Sequence, residues 1–132
     1  MEKFNPPTPQ SGLSNAEKIH EFHAAIGSPL PKTAVQPSLD VLALRHKLIQ
    51  EEYEEVTEAL EVLTAVLQTN QPADITNWVH ELTDLLYVTY GAILACGMDA
   101  DAVFAEVHRA NLSKVGGPRR ADGKLLKPPG WQ

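Results

Sequence analysis

Glu52 and Glu55, three residues apart in "EEYEEV" (51–56), and Glu81 and Asp84, three apart in "HELTDLL" (80–86), could gather four carboxylates at one place. At about 100° per residue, a helical wheel with Leu44 at zero puts Val41, Leu48, Ala59, Val62, Leu63 and Val66 between about 0° and 100°. That arc is the expected core-facing stripe. Glu55 falls near 20° and Glu52 near 80°, inside it, while Glu51 lies at its edge and Glu54, Glu58 and Glu61 lie on the far side. Glu81 and Asp84 share a face of a helix that is apolar nearly all round. Two helices thus each aim two carboxylates at a core. Unpaired buried carboxylates cost several kcal/mol each, and clustering adds repulsion, so protonation or a cation must relieve them. A divalent cation does so most simply, and oxygen-only ligands suit Mg²⁺ or Mn²⁺.

An acidic helix is more often a solvated surface than a ligand set. Here that reading fails, because no glutamate of "EEYEEV" has Lys or Arg four residues on, two occupy the apolar stripe, and a second acidic pair recurs on the next helix. A di-iron bundle would need two Glu-x-x-His pairs on separate helices, and only Glu17 and His20 show that spacing.

The elements that must position these groups are helices. Ser14 and Glu17 have capping-box spacing for a first helix that stops at Gly27. The prolines of "SPLPKTAVQP" make a linker. A second helix starts near Ser38 and runs to between Ala65 and Thr69, a third runs from about Asp74 to Gly97, and a fourth from Asp99 as N-cap to about Ser113. If the second helix continued straight to Thr69, Glu55 would stand about 21 Å from the turn and Glu81 about 12 Å. The second helix is therefore expected to unwind or bend before Thr69, between Ala65 and Pro72. No strand pair or internal repeat is evident, so the class is all-α.

The chain has 132 residues, one domain's worth, with 43% apolar and 6% aromatic residues and a net charge of −6. Residues 1–13 read as a flexible segment and 14–132 as one domain, with a basic tail from about residue 114. Residues 109–132 carry six Lys and Arg against Asp122 alone, a net of +5 that leaves −11 for residues 1–108. The absence of a long apolar run or a signal-like start implies a cytoplasmic protein with no membrane partner. Cys96, alone in the chain, reads as a buried structural thiol.

"EEYEEV" followed by "ELTD" resembles the EExxE and ExxD signature of MazG-like, all-α nucleoside triphosphate pyrophosphohydrolases, which are similar to dimeric dUTPases and phosphoribosyl-ATP pyrophosphohydrolases. The segment "EVHRANLSKVGGPRRADGKLLKPPGW" looks like the C-terminal part of some MazG-like members. The resemblance implies cleavage between the α and β phosphates to a monophosphate and pyrophosphate, in nucleotide-pool house-cleaning with dUTP as the first substrate to try. It implies Mg²⁺ or Mn²⁺ on Glu52, Glu55, Glu81 and Asp84, with Glu51 completing the site or orienting the attacking water. A homodimer with a four-helix core built from both subunits is implied as well.

Phosphoryl chemistry also needs cations facing the phosphates. Asn111, Lys114, Arg119 and Lys124, at the end of the fourth helix and in the tail, are the candidates. His80 could orient a ligand, whereas His20, His23, His46 and His108 read as surface residues. Tyr87 and Tyr90 could pack or line a base pocket. Trp78 reads as core, and Trp131 as able to fold back. The competing reading is a non-enzymatic helical dimerisation module whose basic tail binds nucleic acid. The acidic body opposes it, and no nucleic-acid partner is expected.

Overall fold

A computed structural model describes residues 12–132, and most of the N-terminal segment expected to be loose lies outside them. The chain divides into two compact units at Met98 and Asp99. The first holds α1 (Asn15–Ala25), α2 (Leu39–Gln68) and α3 (Thr76–Leu94), and the second holds α4 (Ala100–Leu112) and the tail. Among the described residues the only strand-like pairing is an isolated bridge between Arg119 and Leu125. No helix among them is long and apolar enough to cross a membrane.

Local chemistry sets the helix ends. Ser14 and Glu17 form the reciprocal capping box, Ser38 Oγ accepts from the Val41 N–H, and the Asp99 carboxylate accepts from the Ala102 N–H. α3 starts at Thr76, two residues later than expected, because Asp74 Oδ1 accepts the Thr76 N–H at 2.8 Å from outside the helix.

α2 packs along α3, and α1 packs on α3. Ile19 and Leu94, each 2% exposed, are the largest enclosed side chains, and Val56, Ala59 and Leu63 are the buried residues of α2. On the wheel these three lie between about 60° and 120°. The contact face is thus turned from the expected stripe, and Leu44 and Val62, expected in the core, are 51% and 58% exposed. The contact with α3 covers one arc of α2 and leaves that flank open. On the opposite flank Leu42, Leu60 and Leu67 are exposed too.

The second helix does not unwind before Thr69: α2 is helical without interruption to Gln68. The offset is absorbed after it, in residues 69–75. Asn70 takes a left-handed φ of 58°, Pro72 blocks a return to helix, and the chain doubles back until Ala73 and Asp74 line one cavity with Val62, Leu63 and Val66. Seven non-helical residues can span the roughly 12 Å by which Glu55 and Glu81 differ in distance from the helix ends.

The linker between α1 and α2 is pinned to the end of α3. The Val35 N–H donates to the Cys96 carbonyl at 3.0 Å, and Gly97, at φ 69°, lies so close that a Cβ there would come within 1.8 Å of the Thr33 carbonyl oxygen. Cys96 itself is half-buried, with its thiol 3.6 Å from the Ala92 carbonyl. Gly97→Ala combines left-handed strain with this collision, and should cost about 2 kcal/mol or more. Gly27, at φ 78° with open space around it, isolates the strain alone, so Gly27→Ala should cost about 1 kcal/mol. Thermal melts of the two variants should therefore differ by at least several degrees, with Gly97→Ala the lower.

Candidate active site

The α2/α3 register can be read from three levels. Arg45 faces Gly91 at one end, Ala59–Val66 faces Ala73–Trp78 at the other, and the acidic pairs meet between them. The helices therefore run antiparallel. Glu52, Glu55, Glu81 and Asp84 each offer an oxygen, and the four oxygens lie within 4.8 Å of one another. His80 Nε2 stands 3.3 Å from Asp84 Oδ2, one turn away on the same helix. Glu51 is exposed and is not among the converging oxygens.

The cluster concentrates like charge, with His80 the one basic group beside it among the described residues. Burial first, then hydrogen bonding and repulsion from Glu55 and repulsion from Asp84 and Glu81, push the Glu52 carboxyl above its ordinary range. The Glu81 carboxyl rises for the same reasons, with burial again largest, opposed by His80. Glu52 Oε2 and Glu81 Oε2 are enclosed and have no hydrogen-bond partner. An enclosed, unpartnered carboxylate oxygen costs free energy that a hard cation would repay, so the donor set fits Mg²⁺ or Mn²⁺.

His23, on α1, is 8% exposed, not a surface residue. Its Nδ1 lies 2.8 Å from the Ile19 carbonyl, which can only accept, so the proton sits on Nδ1 and Nε2 accepts from Arg45 Nη2 at 3.3 Å. Burial lowers the Arg45 pKa, and its Nε is enclosed without a partner. Gly91 leaves the room: a Cβ there would come within 2.7 Å of Arg45 Nη1. The wheel held the signal, since Arg45 falls at about 100°, inside the core arc.

Tyr87 and Tyr90 line a shallow groove with Asn15, Lys18, Thr83 and Leu86, and Phe22 meets Tyr87 edge to face with ring centroids 5.8 Å apart. Trp78 is half-buried, with its Nε1 enclosed.

The remaining sequence candidates lie in the second unit. Lys114 is half-buried and its Nζ donates to Asn111 Oδ1 at 3.1 Å. Arg119 Nη1 donates to the Gly123 carbonyl at 3.1 Å, and Lys124 is exposed.

The phosphoribosyl-ATP pyrophosphohydrolase family matches residues 19–111, more than half of the chain and all four converging carboxylates. The chain belongs to this family. The membership makes it, by family, a pyrophosphohydrolase acting on a nucleotide-like substrate, within the superfamily to which the MazG-like proteins belong. The match ends before Lys114, Arg119 and Lys124. No curated protein matches the chain.

The raised carboxyls carry a stability consequence. In metal-free protein, the folded state favours the protonated forms of Glu52 and Glu81. Their contribution is therefore most favourable below the ordinary value of 4.5 and is lost as pH rises through the raised values. Glu52→Gln in EDTA should melt a few degrees above wild type at pH 7.5, and the advantage should shrink as pH falls toward 4.5. Melting curves across this range test it; a Glu52→Gln variant that melts below wild type at pH 7.5 would show that the cluster is not repulsive.

Proposed function

We propose that the protein hydrolyses nucleoside triphosphates between the α and β phosphates, releasing a nucleoside monophosphate and pyrophosphate. The convergence of four carboxylates from two helices carries this reading. Glu52, Glu55, Glu81 and Asp84 would hold Mg²⁺ or Mn²⁺, which when bound would neutralise phosphate oxygens. Glu51, next to the cluster in sequence, is the candidate to orient the water and take its proton. The water oxygen bonds to phosphorus, the bridging anhydride bond breaks, and the bridging oxygen leaves with its phosphoryl group. Asn111, Lys114, Arg119 and Lys124 are proposed to contact phosphates.

The finer assignment, a MazG-like house-cleaning enzyme with dUTP among its substrates, rests on the "EEYEEV" and "ELTD" motifs. Phosphoribosyl-ATP, the substrate in the family's name, also carries a triphosphate and belongs in the same assay. A homodimer is part of the proposal, because exposed Leu44 and Val62 on one flank of α2, and Leu42, Leu60 and Leu67 on the other, leave apolar surface that a second helix pair would cover.

Pyrophosphate release should be measured from a panel of NTPs, dNTPs including dUTP, and phosphoribosyl-ATP, with Mg²⁺ or Mn²⁺. Release should need the metal and fall by about 100-fold or more in Glu52→Ala and Asp84→Ala. Undiminished release by either variant would remove the carboxylates from the chemistry. A salt-dependent shift of labelled DNA with no nucleotide cleaved would favour the nucleic-acid module instead.

A further inference from the structure

The second unit closes on itself through Trp131. After α4, the chain makes a hairpin in which the Arg120 N–H donates to the Lys124 carbonyl at 2.7 Å and the Leu126 N–H to the Pro118 carbonyl at 2.8 Å. Gly117 permits the approach, since a Cβ there would come within 1.9 Å of the Leu126 carbonyl oxygen. A turn at Pro128 then returns the indole to the end of α4. Trp131 Nε1 donates to Ser113 Oγ at 2.7 Å, and Ser113 Oγ donates in turn to the Ala110 carbonyl at 2.5 Å. The ring is thus tied to the helix by its edge.

Two ammonium groups use that ring. Lys127 Nζ lies 4.6 Å from the ring centroid and Lys114 Nζ 5.7 Å. Cation–π attraction gathers like charges that would otherwise separate. Other cations nearby are already neutralised, Arg109 by Glu106 and Arg120 by Asp122. Among the described residues, Lys114 and Lys127 have no carboxylate within ion-pair distance, and neither do Arg119 and Lys124. An indole that collects unneutralised ammonium groups has built the complement of a polyanion.

We propose that Trp131 is a positioning residue that sets Lys114 and Lys127 to receive a polyphosphate chain. The identity of that polyphosphate as substrate rests on the proposed hydrolysis; the binding of polyphosphate to this unit does not. It follows that inorganic triphosphate should bind the full chain without metal.

Calorimetric titration with inorganic triphosphate in EDTA, on wild type, Trp131→Ala, Trp131→Phe and Ser113→Ala, tests this. Trp131→Ala should weaken binding about fivefold to tenfold, and Trp131→Phe, which keeps a ring under both ammonium groups, should recover most of it. Ser113→Ala should weaken it about twofold to threefold, through the lost hydrogen bond alone. Wild type that does not bind triphosphate, or Trp131→Ala that binds it as wild type does, overturns the proposal. If circular dichroism shows that Trp131→Ala has lost helix, the other two variants decide, and wild-type affinity in Ser113→Ala together with the full loss in Trp131→Phe overturns it. Glu52→Gln should bind triphosphate normally, so absent hydrolysis with intact, Trp131-dependent binding would sink the hydrolytic reading and leave this one standing.

Discussion

Four carboxylate oxygens held within 4.8 Å of one another, two of their groups with an enclosed and unpartnered oxygen, are a concentration of like charge that the folded chain must work to hold. Left alone, such a cluster would push α2 and α3 apart. What opposes it is apolar contact on one side of the cluster and the half-buried Arg45–His23 contact on the other. Val56, Ala59 and Leu63 are buried on α2, while Gly91 admits the Arg45 guanidinium between α2 and α3. The helices are clamped above and below a centre that repels itself, and the proposed cation would relieve that repulsion.

The register behind that centre depends on the connection between the helices. Because α2 stays helical to Gln68, the chain has to climb back before α3 begins, and the left-handed Asn70, Pro72 and the Asp74 bond to the Thr76 N–H produce that offset. A connection one or two residues shorter would place Glu81 and Asp84 against a different turn of α2. The same economy leaves the first unit with a thin core. One helix contact cannot cover the wide apolar surface of α2, and this incompleteness is the physical content of the dimer proposal.

Much of this was legible in the sequence, and the failures have specific causes. Capping residues Ser14, Ser38 and Asp99 read correctly because a cap is a local bond between neighbours. Glu52, Glu55, Glu81 and Asp84 converge, and their placement could be read from the sequence because periodicity shows which face a residue occupies. Periodicity does not show how wide an arc the neighbour covers, so Leu44 and Val62 were expected inside and are exposed. His23 was missed because its role comes from Arg45, 22 residues away, and long-range pairing leaves no local pattern. The bend expected before Thr69 came from assuming a connection that adds no length along the axis. Trp131 was visible as able to fold back, but its partner Ser113, 18 residues earlier, was not.

The proposed divalent-cation centre is one that α2 and α3 would hold together. Electron paramagnetic resonance of Mn²⁺ titrated into the full chain, wild type against Glu81→Gln, tests it with a readout that needs no substrate. Wild type should remove the free-ion signal with saturable stoichiometry, and Glu81→Gln, altered on α3 alone, should lose at least about tenfold in affinity. A Glu81→Gln variant that binds Mn²⁺ as tightly as wild type would mean that the two helices do not share the ion.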